Sequence, residues 1–227
     1  MILGLIQLSS SPLQQTVKRR GYNSGLRKAA AQATRQSIID AARRIFLELG
    51  YAGATMPAIA DAAGVALDTV YATVGRKPTL FRLLMETAIS GHDEAVPAEE
   101  RDYVRALRAE PKAERKLQIY AAAISAIQPK LAPLFRVLQA AAPLESELAN
   151  LWQKISQRRA ANMRLLVENL AATGRLRAGL SVEVAADIIW SMNSPEFYLL
   201  LVEQRGWSPE RFERWVAEAW SRLLLED

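Results

Sequence analysis

The segment from Thr34 to Ala88 constrains the fold of this chain more than any other part of the sequence. It contains short runs in which apolar residues recur every three or four positions, which is the spacing of an amphipathic helix. Gly50 follows the first run and Gly64 follows the second, and glycine adopts the left-handed backbone of a tight turn at little cost. The pattern predicts helices over 34–49, 56–63 and 67–74, with a glycine turn between the second and third.

The side chains of these predicted helices divide into an inward and an outward set. The inward set comprises Ile38, Ala42, Ile45, Phe46, Leu49, Ile59, Ala60, Ala63, Val70 and Val74. Thr55 is placed to cap the second helix, and Pro57 is tolerated in its first turn. Leu67, Asp68, Thr69, Ala72 and Thr73 remain on the outward face of the third helix. The second helix of a helix-turn-helix lies in the DNA major groove, although similar hairpins also occur in purely structural bundles.

Two residues near the end of the third helix favour the DNA-binding interpretation. Tyr71 supplies a hydroxyl and Lys77 an ammonium group, and together they are able to clamp one phosphate strand. Lys77 also precedes a fourth predicted helix, 78–91, whose first amides favour an anion.

The segment over roughly 34–90 resembles the DNA-binding domain of TetR-family transcriptional repressors. The shared residues are Thr34-Arg35, the run from Ile38 to Phe46, Gly50-Tyr51, Thr55, Ile59-Ala60, Ala63 to Val65, Thr69-Val70-Tyr71, Lys77 and Leu80. The resemblance implies phosphate contacts by Thr55, Tyr71 and Lys77. It implies base contacts by Leu67, Asp68, Thr69 and Ala72, and Arg35 and Met56 complete the expected DNA-binding set.

The chain departs from the family pattern at three positions. Val74 stands where the family usually has an aromatic residue, and Pro78 stands where it has an acidic one. Ala66 replaces a capping Ser or Thr, which costs about 1 kcal/mol of local helix stability. None of these changes removes the predicted phosphate clamp.

The excess positive charge lies in the same half of the chain as the helix-turn-helix. Residues 1–91 hold 11 Lys or Arg and 5 Asp or Glu, whereas residues 92–227 hold 18 and 19. The stretch from Lys18 to Arg35 carries six basic residues and no acidic one. We therefore predict that residues 1–33 form a flexible basic extension that contacts DNA. The alternatives are a disordered tail and a solvated surface.

Composition excludes several other kinds of site. The chain has no cysteine and a single histidine, His92, so disulfides, thiolate metal sites and multi-histidine metal sites are excluded. No nucleophile–base pairing is recognisable, and we predict no enzyme activity, cofactor or metal. No apolar run reaches the roughly 18 residues that span a membrane, and the opening MILGLIQL lacks the basic flank of a signal peptide. We predict a cytoplasmic protein with no membrane partner.

Residues 92–227 also show helical spacing throughout. The predicted helices are 101–109, 112–127, 130–141, 145–173, 182–205 and 208–225, with a break at Pro195. The family resemblance implies that this part binds a ligand and forms a homodimer through about 182–225. The candidate pocket residues are Tyr120, Phe135, Gln139, Trp152, Met163, Trp190 and Asn193.

The sequence therefore predicts an all-α fold. Its parts are the extension 1–33, a three-helix helix-turn-helix DNA-binding domain at 34–91, and a larger helical ligand-binding and dimerisation domain at 92–227. The expected function is that of a dimeric repressor that binds a palindromic double-stranded operator and is released by a small organic ligand. The alternatives are a ligand-responsive activator and a protein-interaction bundle with a vestigial helix-turn-helix.

Overall fold

The computed structural model describes residues 20–90 and 96–226, and these residues are almost entirely helical. The α-helices are α1 (Arg20–Gly53), α2 (Met56–Ala63), α3 (Leu67–Val74), α4 (Lys77–Ser90), α5 (Asp102–Ala109), α6 (Ala113–Ala141), α7 (Ser146–Ala171), α8 (Val182–Met192), α9 (Pro195–Tyr198) and α10 (Pro209–Leu224). A 3₁₀ turn covers Ala98–Glu100, and a π-helical segment covers Leu199–Gln204. The described residues contain no β-strand, only one isolated bridge between Leu176 and Leu225. The all-α prediction is confirmed.

Helix α1 begins at Arg20, well before the predicted start at Thr34. Residues 26–33 read LRKAAAQA and consist of strong helix formers, which offset the cost of Gly25 within the helix. All side chains from 25 to 33 are exposed, so this part of the helix forms without packing against the core. The helix over residues 20–33 differs from the flexible extension that the sequence predicted. Residues 1–19 of the predicted arm lie outside the described part of the chain.

The boundaries of α2 and α3 coincide with the predicted ones. The Oγ1 of Thr55 accepts a hydrogen bond from the Ala58 amide at 3.2 Å and caps α2. Gly64 closes α2 with a φ of +68°, the left-handed conformation that the turn requires. Ile38, Phe46, Ile59, Val70 and Phe81 are completely buried between the helices. Leu49 was predicted to face inward, but its side chain is 57% exposed. It immediately precedes Gly50, where non-helical backbone angles interrupt α1.

Helix α6 is one continuous helix where the sequence predicted two. It passes through Pro129 and Pro133, which cannot donate the usual backbone hydrogen bond. The residues around them, Leu131, Leu134 and Phe135, are buried together with residues of α1 to α4 and α7. Tertiary packing on this central helix therefore outweighs the local preference for a break.

The predicted break at Pro195 is confirmed. Helix α8 ends at Met192, and the Ser194 hydroxyl accepts a hydrogen bond from the Phe197 amide at 3.1 Å. Pro195 then occupies the first turn of α9, where a missing amide hydrogen costs nothing. The predicted helix 182–205 is consequently divided into α8, α9 and the π-helical segment.

The apolar core of the helix-turn-helix continues into the larger half of the chain. Leu134 and Leu138 of α6 and Leu148 of α7 belong to the same buried cluster as α1 to α4. A second cluster lies among α5 to α10 and includes Trp220, which is completely buried. Helix α6 thus supports the helix-turn-helix on one side and the rest of the helical bundle on the other. In the described ranges, no helix is both long and apolar enough to cross a membrane.

Candidate nucleic-acid interface and ligand cavity

Helix α3 presents one face to solvent and anchors the other in the core. Val70 and Val74 are buried, whereas Leu67, Asp68, Tyr71 and Ala72 are exposed. Two further residues that were expected on the outward face, Thr69 and Thr73, are half-buried, and the Thr73 hydroxyl donates to the Thr69 carbonyl at 2.7 Å. The free face of α3 is therefore narrower than the sequence suggested.

The first turn of α3 lacks a side-chain cap. Ala66 holds the N-cap position in an extended conformation and makes no capping hydrogen bond, as the sequence predicted. Asp68 is the acidic residue in this turn, where its negative charge complements the partial positive charge of the helix N-terminus. Asp68 thus contributes to helix stability in addition to any contact with a base.

Arg35 connects the first helix to the end of α3. Its Nη1 donates a hydrogen bond to the Thr73 carbonyl oxygen at 3.3 Å. This carbonyl lies in the last turn of α3, where unsatisfied oxygens attract cations. The structure therefore gives Arg35, one of the expected DNA-binding residues, a role in positioning the helix.

Lys77 lies against the ring of Tyr51. Its Nζ is 4.3 Å from the ring centroid, a cation–π distance. Partial burial lowers the pKa of Lys77, and the nearby Glu145 carboxylate opposes this shift. Burial, followed by the charges of Glu145 and Glu147, raises the pKa of Tyr51 to about 12. Lys77 therefore lies where the helix-turn-helix meets the start of α7.

The remaining expected DNA-binding residues occupy contrasting positions. Thr55 is exposed, but the side chain of Met56 is 6% exposed and belongs to the core cluster. The first turn of α2 thus directs Met56 toward the core, in contrast to the exposed Thr55. Sequence reasoning overlooked Arg76, an exposed basic residue immediately before Lys77.

A cavity of about 430 Å³ lies among α5, α6 and α7, next to the end of α4. Its walls are completed by the segment 96–99 and by the turn around Asn193. The candidate residues from the sequence lie on α6, α7, α8 and the turn after α8, and none of them lies on α4 or α5. Sequence patterns identify the inward face of a helix but not the neighbour that this face meets.

Four of the candidate pocket residues line this cavity, and three do not. The four lining residues are Tyr120, Phe135, Met163 and Asn193. Gln139 instead donates to the Glu196 carboxylate at 2.6 Å. Trp152 packs edge-on against Phe135, and Trp190 lies under the guanidinium of Arg159.

Asn193 is the centre of a buried polar network at the cavity wall. Its Nδ2 donates to the Tyr120 hydroxyl at 2.5 Å, and its backbone carbonyl accepts from the Gln128 side chain at 2.7 Å. The Nη2 of Arg159 donates to the Asn193 Oδ1 at 2.5 Å and to the Trp190 carbonyl at 2.8 Å. Burial raises the pKa of Tyr120, so its hydroxyl stays neutral at physiological pH.

Sequence reasoning missed Arg159 and Gln128. Arg159 is one of several charged residues in a polar run of α7, and Gln128 fell between two predicted helices. No sequence signal separated either residue from ordinary surface positions. Within the described ranges, no group of three or more His, Asp or Glu side chains is arranged to hold a metal ion.

Comparison with known proteins relates this arrangement to one family. Residues 38–82 match the model of the bacterial regulatory proteins of the tetR family. The structure resembles NalD, the secondary repressor of the MexAB-OprM multidrug efflux pump in Pseudomonas aeruginosa, with a TM-score of 0.68 and 23% identity over 88% of this chain and 99% of that chain. It also resembles the transcriptional regulator FadR from Bacillus subtilis, solved with stearoyl-CoA, with a TM-score of 0.61 and 21% identity over 82% and 96% of the two chains. No curated protein matches the sequence. Residues 38–82 thus match the helix-turn-helix model of the tetR family, and the chain shares the fold of the TetR-family regulators.

Proposed function

We propose that this chain is a dimeric transcriptional repressor that binds a palindromic operator and is released by a small organic ligand. The observation that carries the proposal is the free face of α3. Leu67, Asp68, Tyr71 and Ala72 project from a helix whose opposite side is fixed by the buried Val70 and Val74. A rigid helix with an exposed N-terminal face fits the major groove.

Each DNA-contacting residue has a distinct role in this proposal. Leu67 packs against a thymine methyl group, and Asp68 accepts a hydrogen bond from a cytosine amino group. Thr55, Tyr71 and Lys77 contact phosphates, and Arg76 adds a further phosphate contact from its exposed position beside Lys77. The exposed Arg27 and Lys28 of α1 extend the positive surface.

Exposed apolar residues near the C-terminus support dimerisation. Leu200, Trp215 and Leu223 are 46%, 39% and 43% exposed, respectively, and Trp215 stacks on Phe197 with 5.9 Å between ring centroids. Aromatic and aliphatic side chains that are exposed to solvent on a single subunit are typical of a homodimer interface. Two copies place their recognition helices on half-sites about 34 Å apart.

Helix α4 supports coupling between ligand and DNA. Lys77 begins this helix, and Glu86 and Ile89 near its other end line the cavity. A ligand that favours a different position of α4 also changes the position of Lys77. Its effect on DNA affinity is limited to its differential affinity for the two positions.

Selection of bound duplexes from a random DNA pool tests the proposed function. We expect enrichment of one palindromic sequence, protected as two half-sites in a footprint. Equal affinity for all sequences in fluorescence anisotropy would contradict sequence-specific repression. A reporter gene controlled by the selected sequence then distinguishes repression from activation.

A further inference from the structure

We propose that the cavity binds an amphipathic carboxylate whose charged group pairs with Arg159 and whose apolar part lies between α6 and α7. This inference rests on the proposed function, because it takes the cavity as the effector site. It assigns the ligand to a chemical class and assigns its charged group to one residue.

Arg159 is a half-buried cation that forms no ion pair with the described residues. Its hydrogen bonds to these residues come from Nη2, and Nε and Nη1 donate none to them. No carboxylate of those residues lies within 4.0 Å of its guanidinium. Glu196 is near enough to influence Arg159, but its carboxylate is exposed and accepts a hydrogen bond from Gln139.

The environment of Arg159 makes an anion the favoured partner. Desolvation by burial lowers the pKa of Arg159, and the nearby Tyr120 and Glu196 oppose this shift. The guanidinium lies 5.0 Å from the Trp190 ring centroid, and this contact together with the two carbonyl acceptors fixes its plane. Nε and Nη1 of this fixed guanidinium are each able to donate a charge-assisted hydrogen bond to one carboxylate oxygen. The two edges that bind a carboxylate bidentately both include Nη2, which already donates to Asn193 and Trp190.

The other charged residues that line the cavity are also mostly positive. Arg101, Arg108 and Arg158 line the cavity together with Arg159, whereas the acidic lining residues are Glu86 and Glu99. The guanidinium of Arg101 donates to the Val96 carbonyl and the Tyr103 hydroxyl, so it is held locally. An excess of positive charge in a low-dielectric cavity attracts anions and disfavours cations.

Gln128 is a second buried polar residue at the cavity wall. It is 3% exposed, and its Oε1 has no hydrogen-bond partner among the described residues. Its Nε2 donates to the Asn193 carbonyl, so the residue holds the wall beside Arg159. The ligand class follows from Arg159 and the apolar lining and is a carboxylate with an apolar body.

Apolar side chains of the cavity wall provide a surface for the apolar body of the ligand. Ile124, Ile127, Leu131, Phe135 and Leu166 line the cavity. A volume of about 430 Å³ lies within the range of small-molecule sites. An aliphatic or arylalkyl chain buries its surface there while its carboxylate remains beside α7.

Calorimetry on the full chain with matched probes tests this inference. The probes are decanoate and 4-phenylbutanoate, their neutral counterparts 1-decanol and 4-phenylbutanol, and decylamine as a cation. We expect at least one carboxylate to bind roughly tenfold or more tightly than its alcohol and than decylamine. Equal or tighter binding of the alcohols or the amine, or no binding of either carboxylate, would overturn the inference.

The variant Arg159→Gln provides a second test of the inference by the same calorimetry. It should weaken the carboxylate by roughly tenfold or more, leave the alcohol unchanged, and alter the fluorescence response of Trp190. Arg164→Gln is the matched control, because Arg164 lies on the same helix, is exposed and does not line the cavity. Melting curves for both variants confirm folding. Undiminished carboxylate binding by Arg159→Gln contradicts the assignment.

Adding operator DNA separates this inference from the proposed function. Carboxylate binding that leaves DNA affinity unchanged contradicts ligand-released repression but supports the ligand class. Release by an alcohol while neither carboxylate binds supports the release mechanism and overturns the ligand class.

Discussion

The ammonium of Lys77 lies 4.3 Å from the centroid of the Tyr51 ring, on the side of the helix-turn-helix that faces the start of α7. Tyr51 in turn packs between Phe46 and Phe81, with ring centroids 5.7 and 5.5 Å away. The residue proposed to hold DNA phosphate is therefore positioned by the aromatic core. Lys77 also interacts electrostatically with the Glu145 carboxylate, which belongs to the larger half of the chain.

Replacing Lys77 by Ala should weaken binding to all DNA sequences to a similar extent. A phosphate contact carries no sequence information, so the selected operator and random DNA lose affinity together. The slope of log K against log salt should become shallower by about one unit. Anisotropy at several salt concentrations measures both quantities, with Lys77→Arg as the charge-preserving control. A loss confined to the operator would show that Lys77 has a different role.

Glu145→Gln should raise DNA affinity by a few-fold at low salt. The Glu145 carboxylate attracts the ammonium of Lys77 and competes with phosphate for it, and partially exposed charges interact by less than about 1 kcal/mol. The gain should fade as added salt screens the charges. Glu168→Gln serves as the control. Glu168 lies on α7, the helix that follows Glu145, but it is paired with Arg164. An affinity that is unchanged at every salt concentration would rule out this competition.

Ala66→Ser should stabilise the protein by about 1 kcal/mol, because the serine hydroxyl supplies the missing cap of α3. Thermal or denaturant unfolding measures the change in the free energy of unfolding. Ala62→Ser is the matched control, since Ala62 is exposed within α2 and is not an N-cap residue. A gain that is equal in the two variants would mean that capping is not the cause.

Asp68→Ala should relax discrimination at a single base pair of each half-site. An acidic side chain that accepts a hydrogen bond from cytosine is expected to contribute about 1–3 kcal/mol to discrimination. The same variant should lose about 0.3–1 kcal/mol of stability, because Asp68 also complements the N-terminus of α3. Binding to a set of single-base operator variants provides the readout. Unchanged preference at every position would leave Asp68 with its structural role alone.

Local signals in the sequence were sufficient for the helix-turn-helix and insufficient for the cavity. Gly64, Thr55 and Pro195 act on their own neighbours in the chain, so turns, caps and breaks were predictable from them. The continuity of α6 depends on burial of Leu134 and Phe135 against elements distant in sequence, and local propensity pointed the other way. The absence of an ion-pair partner for Arg159 among the described residues likewise depends on its neighbours in space, which a single sequence does not reveal.

Trp215→Glu should convert the proposed dimer into a monomer. Trp215 is 39% exposed and stacks on Phe197, so a carboxylate at this position would be buried without a partner between two copies. Light scattering should show one chain per particle, and operator affinity should fall by at least about a hundredfold, because the second half-site is no longer linked to the first. Leu144→Glu is the control, since Leu144 is 85% exposed and lies away from α8 to α10 in the sequence. Retention of the dimer by Trp215→Glu would place the interface on another surface.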